Sequence, residues 1–176
     1  SNLFFFSPGN LSLGHHELCN EDLELRLCHE IQSGAHEVIT NISAPSNFIS
    51  DLPASLALFT GLTRMDLSHN RLVSVPECLA SLSSLTHLVL SNNLITEADM
   101  PKTMSGLSNL RTLNLSGNQL EAIPTEILEL TSLRSLYLGG NQIKEVGDKN
   151  FINIFSLCSA LISISSCRHR LQGFGD

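Results

Sequence analysis

The stretch "LRTLNLSGNQLEAIPTEILELTSL", residues 110 to 133, has two halves with different hydrophobic spacing. In the first half Leu113 and Leu115 alternate with Thr112 and Asn114. That period of two predicts a short strand that points Leu110, Leu113 and Leu115 inward and leaves Thr112 and Asn114 outward. Asn118 follows. Its amide carries two donors and an acceptor with two lone pairs, which suits a residue bonding the turning backbones of two chain segments at once. In the second half Leu120, Ile123, Ile127 and Leu130 form the buried positions of a returning segment, and Pro124 opens a short helical turn. A unit of this size buries too few side chains to offset the conformational entropy of ordering it. It folds only if copies of it stack.

The copies are present. Asn47, Asn70, Asn93, Asn118 and Asn141 stand 23, 23, 25 and 23 residues apart. "LTRMDLSHN", "LTHLVLSNN", "LRTLNLSGN" and "LRSLYLGGN" repeat the form LxxLxLxxN, opening at Leu62, Leu85, Leu110 and Leu133. "ITNISAPSN", from Ile39 to Asn47, is a degenerate earlier copy. A period of this length predicts a solenoid. The pattern resembles the leucine-rich repeat family, and the resemblance implies an α/β solenoid. In it a parallel sheet lines the concave face of a right-handed curve, with short helices, 3-10 turns and loops on the convex face. The repeat units are 39–61, 62–84, 85–109, 110–132 and one that begins at 133 and runs to at least 146. The "LPxxLxxL"-type second halves are similar to those of the Ras-suppressor-like cytosolic subgroup. That resemblance implies a non-enzymatic scaffold or adaptor in intracellular signalling, with substrate recognition in a ubiquitin ligase as the alternative.

The 25-residue step has its surplus between Ile95 and Met100, which occupy the places of Leu72 and Val75. "TEAD" is therefore expected as a loop on the convex side with Glu97 and Asp99 solvated, because an insertion after the strand leaves the register untouched. Open solenoids need caps. In "NEDLELRLCHEIQSG", Leu23, Leu27 and Ile31 fall at helical spacing behind Asn20 as an expected N-cap, so residues 1–38 read as an irregular segment to residue 19 and then a capping helix. Phe4 to Phe6 are expected to dock on apolar surface. Residues 147–176 read as a degenerate last repeat, with a strand within Leu157 to Ser165, and a tail.

Composition narrows the chemistry. The 176 residues carry a formal charge of -7. Residues 1 to 38 hold six carboxylates against Arg26 alone. No basic stripe is present to displace phosphate counterions, so nucleic acid is not expected as a partner. No run of about 20 uninterrupted apolar residues marks a membrane span. Five cysteines are an odd number without a visible disulfide framework, which predicts reduced thiols and a cytoplasmic location. His15, His16, Cys19, Cys28 and His29 are of zinc-binding types. Adjacent Cys28 and His29 on a helix diverge by about 100°, so no metal or other cofactor is assigned. Asp66 and His69 read as strand-end residues, and neither a phosphate loop nor a nucleophile elbow occurs, so no catalytic residue or small-molecule substrate is assigned.

The outward strand positions remain. Arg64, His87 and Thr112 are expected in one row and Asp66, Val89, Asn114 and Tyr137 in the next. His69 and Asn92 flank the rows, and Arg111 and Arg134 lie one position earlier. Arginine and tyrosine are the types that dominate interface energies. This face is the expected protein-binding site, for a partner with an acidic patch.

Overall fold

Each copy of the motif supplies a three-residue strand. They are β1 (Asn10–Ser12), β2 (Asn41–Ser43), β3 (Arg64–Asp66), β4 (His87–Val89), β5 (Thr112–Asn114) and β6 (Ser135–Tyr137), followed by the two-residue β7 (Ile162–Ser163). The structure, a computed structural model, describes residues 9–143 together with Ile162 and Ser163. The strands pair in parallel in chain order, as one sheet. Parallel neighbours need a crossover between them. Here α1 (Asn20–Gln32) and short 3-10 helices at Ala35–Glu37, Ala54–Leu58, Glu77–Ser81, Glu97–Asp99 and Thr125–Glu129 provide it. The fold is the expected leucine-rich repeat solenoid.

The core is a set of columns, one residue per repeat. Leu11, Ile42, Met65, Leu88, Leu113 and Leu136 form the strand column, all buried. Leu13, Ala44, Leu67, Leu90, Leu115 and Leu138 form the next. Ile49, Leu72, Ile95, Leu120 and Ile143 follow the turn, and Leu56, Leu79, Met104 and Ile127 line the convex side.

The asparagines are a second ladder, inside the first. Asn93 Nδ2 donates to the Leu90 carbonyl in its own repeat and to Leu67 in the repeat before, both at 3.0 Å. Its Oδ1 accepts the Leu72 N–H at 3.0 Å. Asn70 repeats the pattern with Ala44, Leu67 and Ile49. Asn118 does so with Leu90, Leu115 and Ile95, and Asn141 with Leu115, Leu138 and Leu120. Buried backbone groups at each turn are thereby satisfied.

Several local expectations are revised. Irregular chain is the expectation up to residue 19, yet Asn10–Ser12 pair with Asn41–Ser43. Leu11 and Leu13 are buried, as are their counterparts in β2 to β6. The Asn47 Oδ1 accepts N–H bonds from His16 and Leu18, so the ladder reaches this first unit too. With a strand before it, α1 is the convex element of that unit. Its N-cap is Cys19, not Asn20: the Asp22 carboxylate accepts from the Cys19 N–H and thiol, each at 3.0 Å. Asn20 instead ties the helix to the following repeat, accepting the Ser50 N–H at 2.8 Å and donating to the Ser50 hydroxyl. Leu23 and Leu27 are buried and Ile31 is half-buried, while Glu30, at 3% exposure, is buried beside the Arg26 guanidinium at 2.8 Å.

"TEAD" keeps Asp99 exposed and Glu97 half-buried, close to the solvated expectation, but it is not an open loop. Glu97–Asp99 form a 3-10 turn. The Val75 N–H donates to the Asp99 carbonyl, and Glu97 Oε2 accepts the Glu121 N–H at 3.0 Å. The surplus residues bond the repeats on both sides. β7 falls within the stretch expected for a last strand and pairs with β6. The docking of Phe4 to Phe6, the end of the unit opening at Leu133, and the rest of 147–176 lie outside the described residues.

Candidate functional site

Strand register places the outward side chains in columns. Asn10, Asn41, Arg64, His87, Thr112 and Ser135 are neighbours across β1 to β6. Ser12, Ser43, Asp66, Val89, Asn114 and Tyr137 form the adjacent column. Both rows expected from the motif are therefore present. A third column precedes them: Thr40, Thr63, Thr86, Arg111 and Arg134. The Thr63 hydroxyl donates to the Thr40 carbonyl at 3.0 Å and the Thr86 hydroxyl to the Thr63 carbonyl at 2.8 Å. The backbone continues the column, with Arg111 N–H on Thr86 and Arg134 N–H on Arg111.

Arg64, Arg111, Arg134 and Tyr137 are exposed, Tyr137 at 37%. Among the described residues none of these arginines makes an ion pair. The nearby carboxylate, Asp66, has its Oδ1 occupied by the Ser68 N–H at 2.9 Å, and Asn114 makes the same bond to Ser116 at 3.0 Å. In these three columns the charged residues are Arg64, Arg111 and Arg134 against Asp66, a net positive excess. His87 reports this: burial, then Arg64 and Arg111, hold its imidazole below the usual histidine range.

His69 and Asn92 do flank the rows, but a backbone requirement places them there. Both have positive φ, at 55°. So do Ser46, Gly117 and Gly140, each the residue before a ladder asparagine. Asn92 Nδ2 lies 3.2 Å from His69 Nε2. His69 is thus paired away from Asp66. The threonine column and this left-handed column went unrecognised in the sequence. The threonines at one step before the strand and the run of Ser, His, Asn, Gly and Gly before the ladder were their signals, since Asn, His and Gly tolerate positive φ best.

Among the described residues no three His, Cys, Asp or Glu side chains converge on a metal position. Cys19 is bonded to Asp22, and Cys19, Cys28 and Cys78 are free thiols. No helix among them is long and apolar enough to cross a membrane.

The leucine rich repeat family model matches residues 39–95 and 97–143. The chain belongs to the leucine-rich repeat family. Similar solved structures of leucine-rich repeat proteins include one from Leptospira interrogans, with 29% identity over 82% of this chain and a TM-score of 0.70. An internalin from Listeria monocytogenes has 26% identity over 72% of the chain and a TM-score of 0.57. The ectodomain of the plant membrane receptor kinase GASSHO1/SCHENGEN3 from Arabidopsis thaliana, in complex with CASPARIAN STRIP INTEGRITY FACTOR 2, has 28% identity over 75% and a TM-score of 0.60. This chain spans 34%, 34% and 16% of those chains respectively. No curated protein sequence shows significant similarity to it. Leucine-rich repeat domains generally mediate protein–protein interaction, and the plant receptor ectodomain is solved in complex with CASPARIAN STRIP INTEGRITY FACTOR 2.

Proposed function

We propose that this leucine-rich repeat protein is a non-enzymatic adaptor that binds a partner protein on its concave face, through an acidic patch on that partner. The observation that carries the reading is the set of three arginines without an ion pair among the described residues, Arg64 in β3 and Arg111 and Arg134 just before β5 and β6, with exposed Tyr137 beside them. Guanidiniums pair carboxylates bidentately, and tyrosine supplies a large, stiff anchor. A role in cytoplasmic signalling is supported by the free thiols of Cys19, Cys28 and Cys78 and by the resemblance of the "LPxxLxxL"-type second halves to those of the Ras-suppressor-like subgroup. In these motifs alone, the long third repeat with "LNLSGN" and "LYLGGNQIKEV" after it, the chain resembles leucine-rich repeat-containing protein 58, and that kinship is part of this proposal. Substrate recognition for a ubiquitin ligase would use the same surface, and the identity of the partner separates the two roles.

Affinity capture from cell extract supplies that partner. Replacing Arg111, Arg134 and Tyr137 together with alanine is expected to weaken it by at least about 2 kcal/mol, roughly thirtyfold, in titration calorimetry. Circular dichroism melts should superimpose, because all three side chains are exposed. Unchanged affinity would move the site off the concave face.

A further inference from the structure

Arg64, His87 and Arg111 occupy neighbouring positions in the middle of the concave face. Register sets Arg64 beside His87, with Thr112 on the other side. The N–H groups of Arg111 and Thr112 both donate to the Thr86 carbonyl, at 2.9 and 3.0 Å, which holds Arg111 diagonal to His87. The charged and polar groups facing the imidazole are Arg64 and Asp66 from β3, Arg111, Thr112 and Asn114 from the β5 side, and Thr86 next to it in sequence. Asp66 is turned to the Ser68 N–H. No carboxylate is ion-paired with either arginine among the described residues.

The ring's hydrogen bond fixes which nitrogen is available. Thr86 Oγ1 lies 2.8 Å from the Thr63 carbonyl oxygen, which only accepts, so the hydroxyl proton goes there. The same Oγ1 is 2.9 Å from His87 Nδ1. Its one proton is already committed, so it accepts at this second contact and Nδ1 is the donor. Neutral His87 is therefore the Nδ1–H tautomer, with its lone pair on Nε2.

We propose that Arg64, His87 and Arg111 form a proton-coupled carboxylate site, in which an Asp or Glu side chain of the partner pairs with the two guanidiniums while His87 Nε2 takes a proton from solvent and donates it as a further hydrogen bond. This rests on the concave-face reading above and deepens it. In the free protein an imidazolium between two guanidiniums is opposed by both charges and by burial. A docked carboxylate offsets one of the two guanidinium charges and accepts the Nε2–H hydrogen bond, so the bound protein holds that proton to a higher pH than the free protein does. Linkage then fixes the sign. Affinity rises as pH falls through the interval between the bound and free His87 pKa values, and it levels off outside that interval.

The probe is a blocked tetraglutamate peptide, with the His87 ring followed by NMR at pH 5.5 to 8 and proton uptake read by calorimetry in buffers of different ionisation heat. We expect the peptide to shift the His87 titration upward. For one unit of elevation, binding is about tenfold tighter at the acid end. His87→Gln should abolish the pH dependence and the proton uptake, and Arg64→Gln with Arg111→Gln should abolish binding. A His87 ring that the peptide leaves unmoved overturns the proposal, as does equal pH dependence in His87→Gln. Inorganic phosphate that binds where the peptide does not overturns it in favour of a phosphate site. If the peptide leaves His87 unmoved while the captured partner is lost in the Arg111, Arg134 and Tyr137 triple variant, only the carboxylate site falls and the docking face stands.

Discussion

Asn93 shows how one side chain serves two repeats. It is buried, donates to Leu67 and Leu90, and accepts from Leu72. Replacing it with alanine leaves a buried N–H and two carbonyls without these bonds, and each unmet buried group costs on the order of 1 to 3 kcal/mol. Asn93→Ala should therefore destabilise by about 3 kcal/mol in urea denaturation. Asn93→Asp keeps the acceptor for Leu72 but loses the donors, and should also destabilise the fold. A loss under about 0.5 kcal/mol for alanine would mean that water replaces the ladder. The asparagine's role was legible from its spacing and its donor and acceptor inventory. The role of its predecessor was not: His69 and Asn92 read as interface residues because exposed polar side chains beside a strand invite that reading. The strain is visible only across the column, where the same position becomes Gly117 and Gly140. At Gly117 an added Cβ would stand 2.4 Å from Asn92 Oδ1, so that glycine answers to space as well as to φ.

At the scale of elements, the third repeat departs most from its neighbours. Its 3-10 turn comes early, at Glu97–Asp99, and none follows Pro101 where Pro53, Pro76 and Pro124 each cap one. The segment after Pro101 is held by the next repeat instead. Glu129 accepts from the Thr103 hydroxyl and the Met104 N–H at 2.6 and 2.7 Å, and these bonds lower its pKa. The chain there runs so close to the preceding repeat that a Cβ on Gly106 would lie 1.8 Å from the Ala80 carbonyl oxygen. Gly106→Ala is thus expected to cost about 3 kcal/mol through forced backbone movement, a melting decrease of roughly 6 to 12 °C. Deleting Glu97 and Ala98 restores the 23-residue step, but it removes the Glu97 bond to Glu121 and disturbs that from Val75 to Asp99. We expect a loss of about 2 kcal/mol in urea denaturation with an unchanged slope. A deletion variant as stable as the parent would return "TEAD" to neutral loop variation. Strand positions and core columns were legible because stacking forces one residue type per column. The first strand escaped because 31 residues separate Asn10 from Asn41, its asparagine place is filled by His16, and α1 occupies the interval. The cap escaped because cysteine is seldom the residue that caps.

Over the whole molecule, charge and shape oppose one another. The chain carries -7, with six carboxylates in its first 38 residues, while the concave face presents arginines that no carboxylate pairs among the described residues. An acidic partner is repelled by the molecule as a whole at long range and attracted by one face at short range, so the field orients the approach as well as speeding it. Such steering acts in solvent and is screened over about 10 Å at 0.1 M salt. Raising ionic strength from about 0.05 to 0.5 M should therefore slow association with the captured partner roughly tenfold and change dissociation much less, because exposed charges govern encounter and buried anchors govern residence. Stopped-flow mixing at several salt concentrations measures both rates. Arg64, Arg111 and Arg134 changed together to glutamine should flatten the salt dependence of association, since they are the source of the local field. An association rate indifferent to salt, or one that rises with it, would show that the net negative charge dominates the encounter and that the partner approaches by another face.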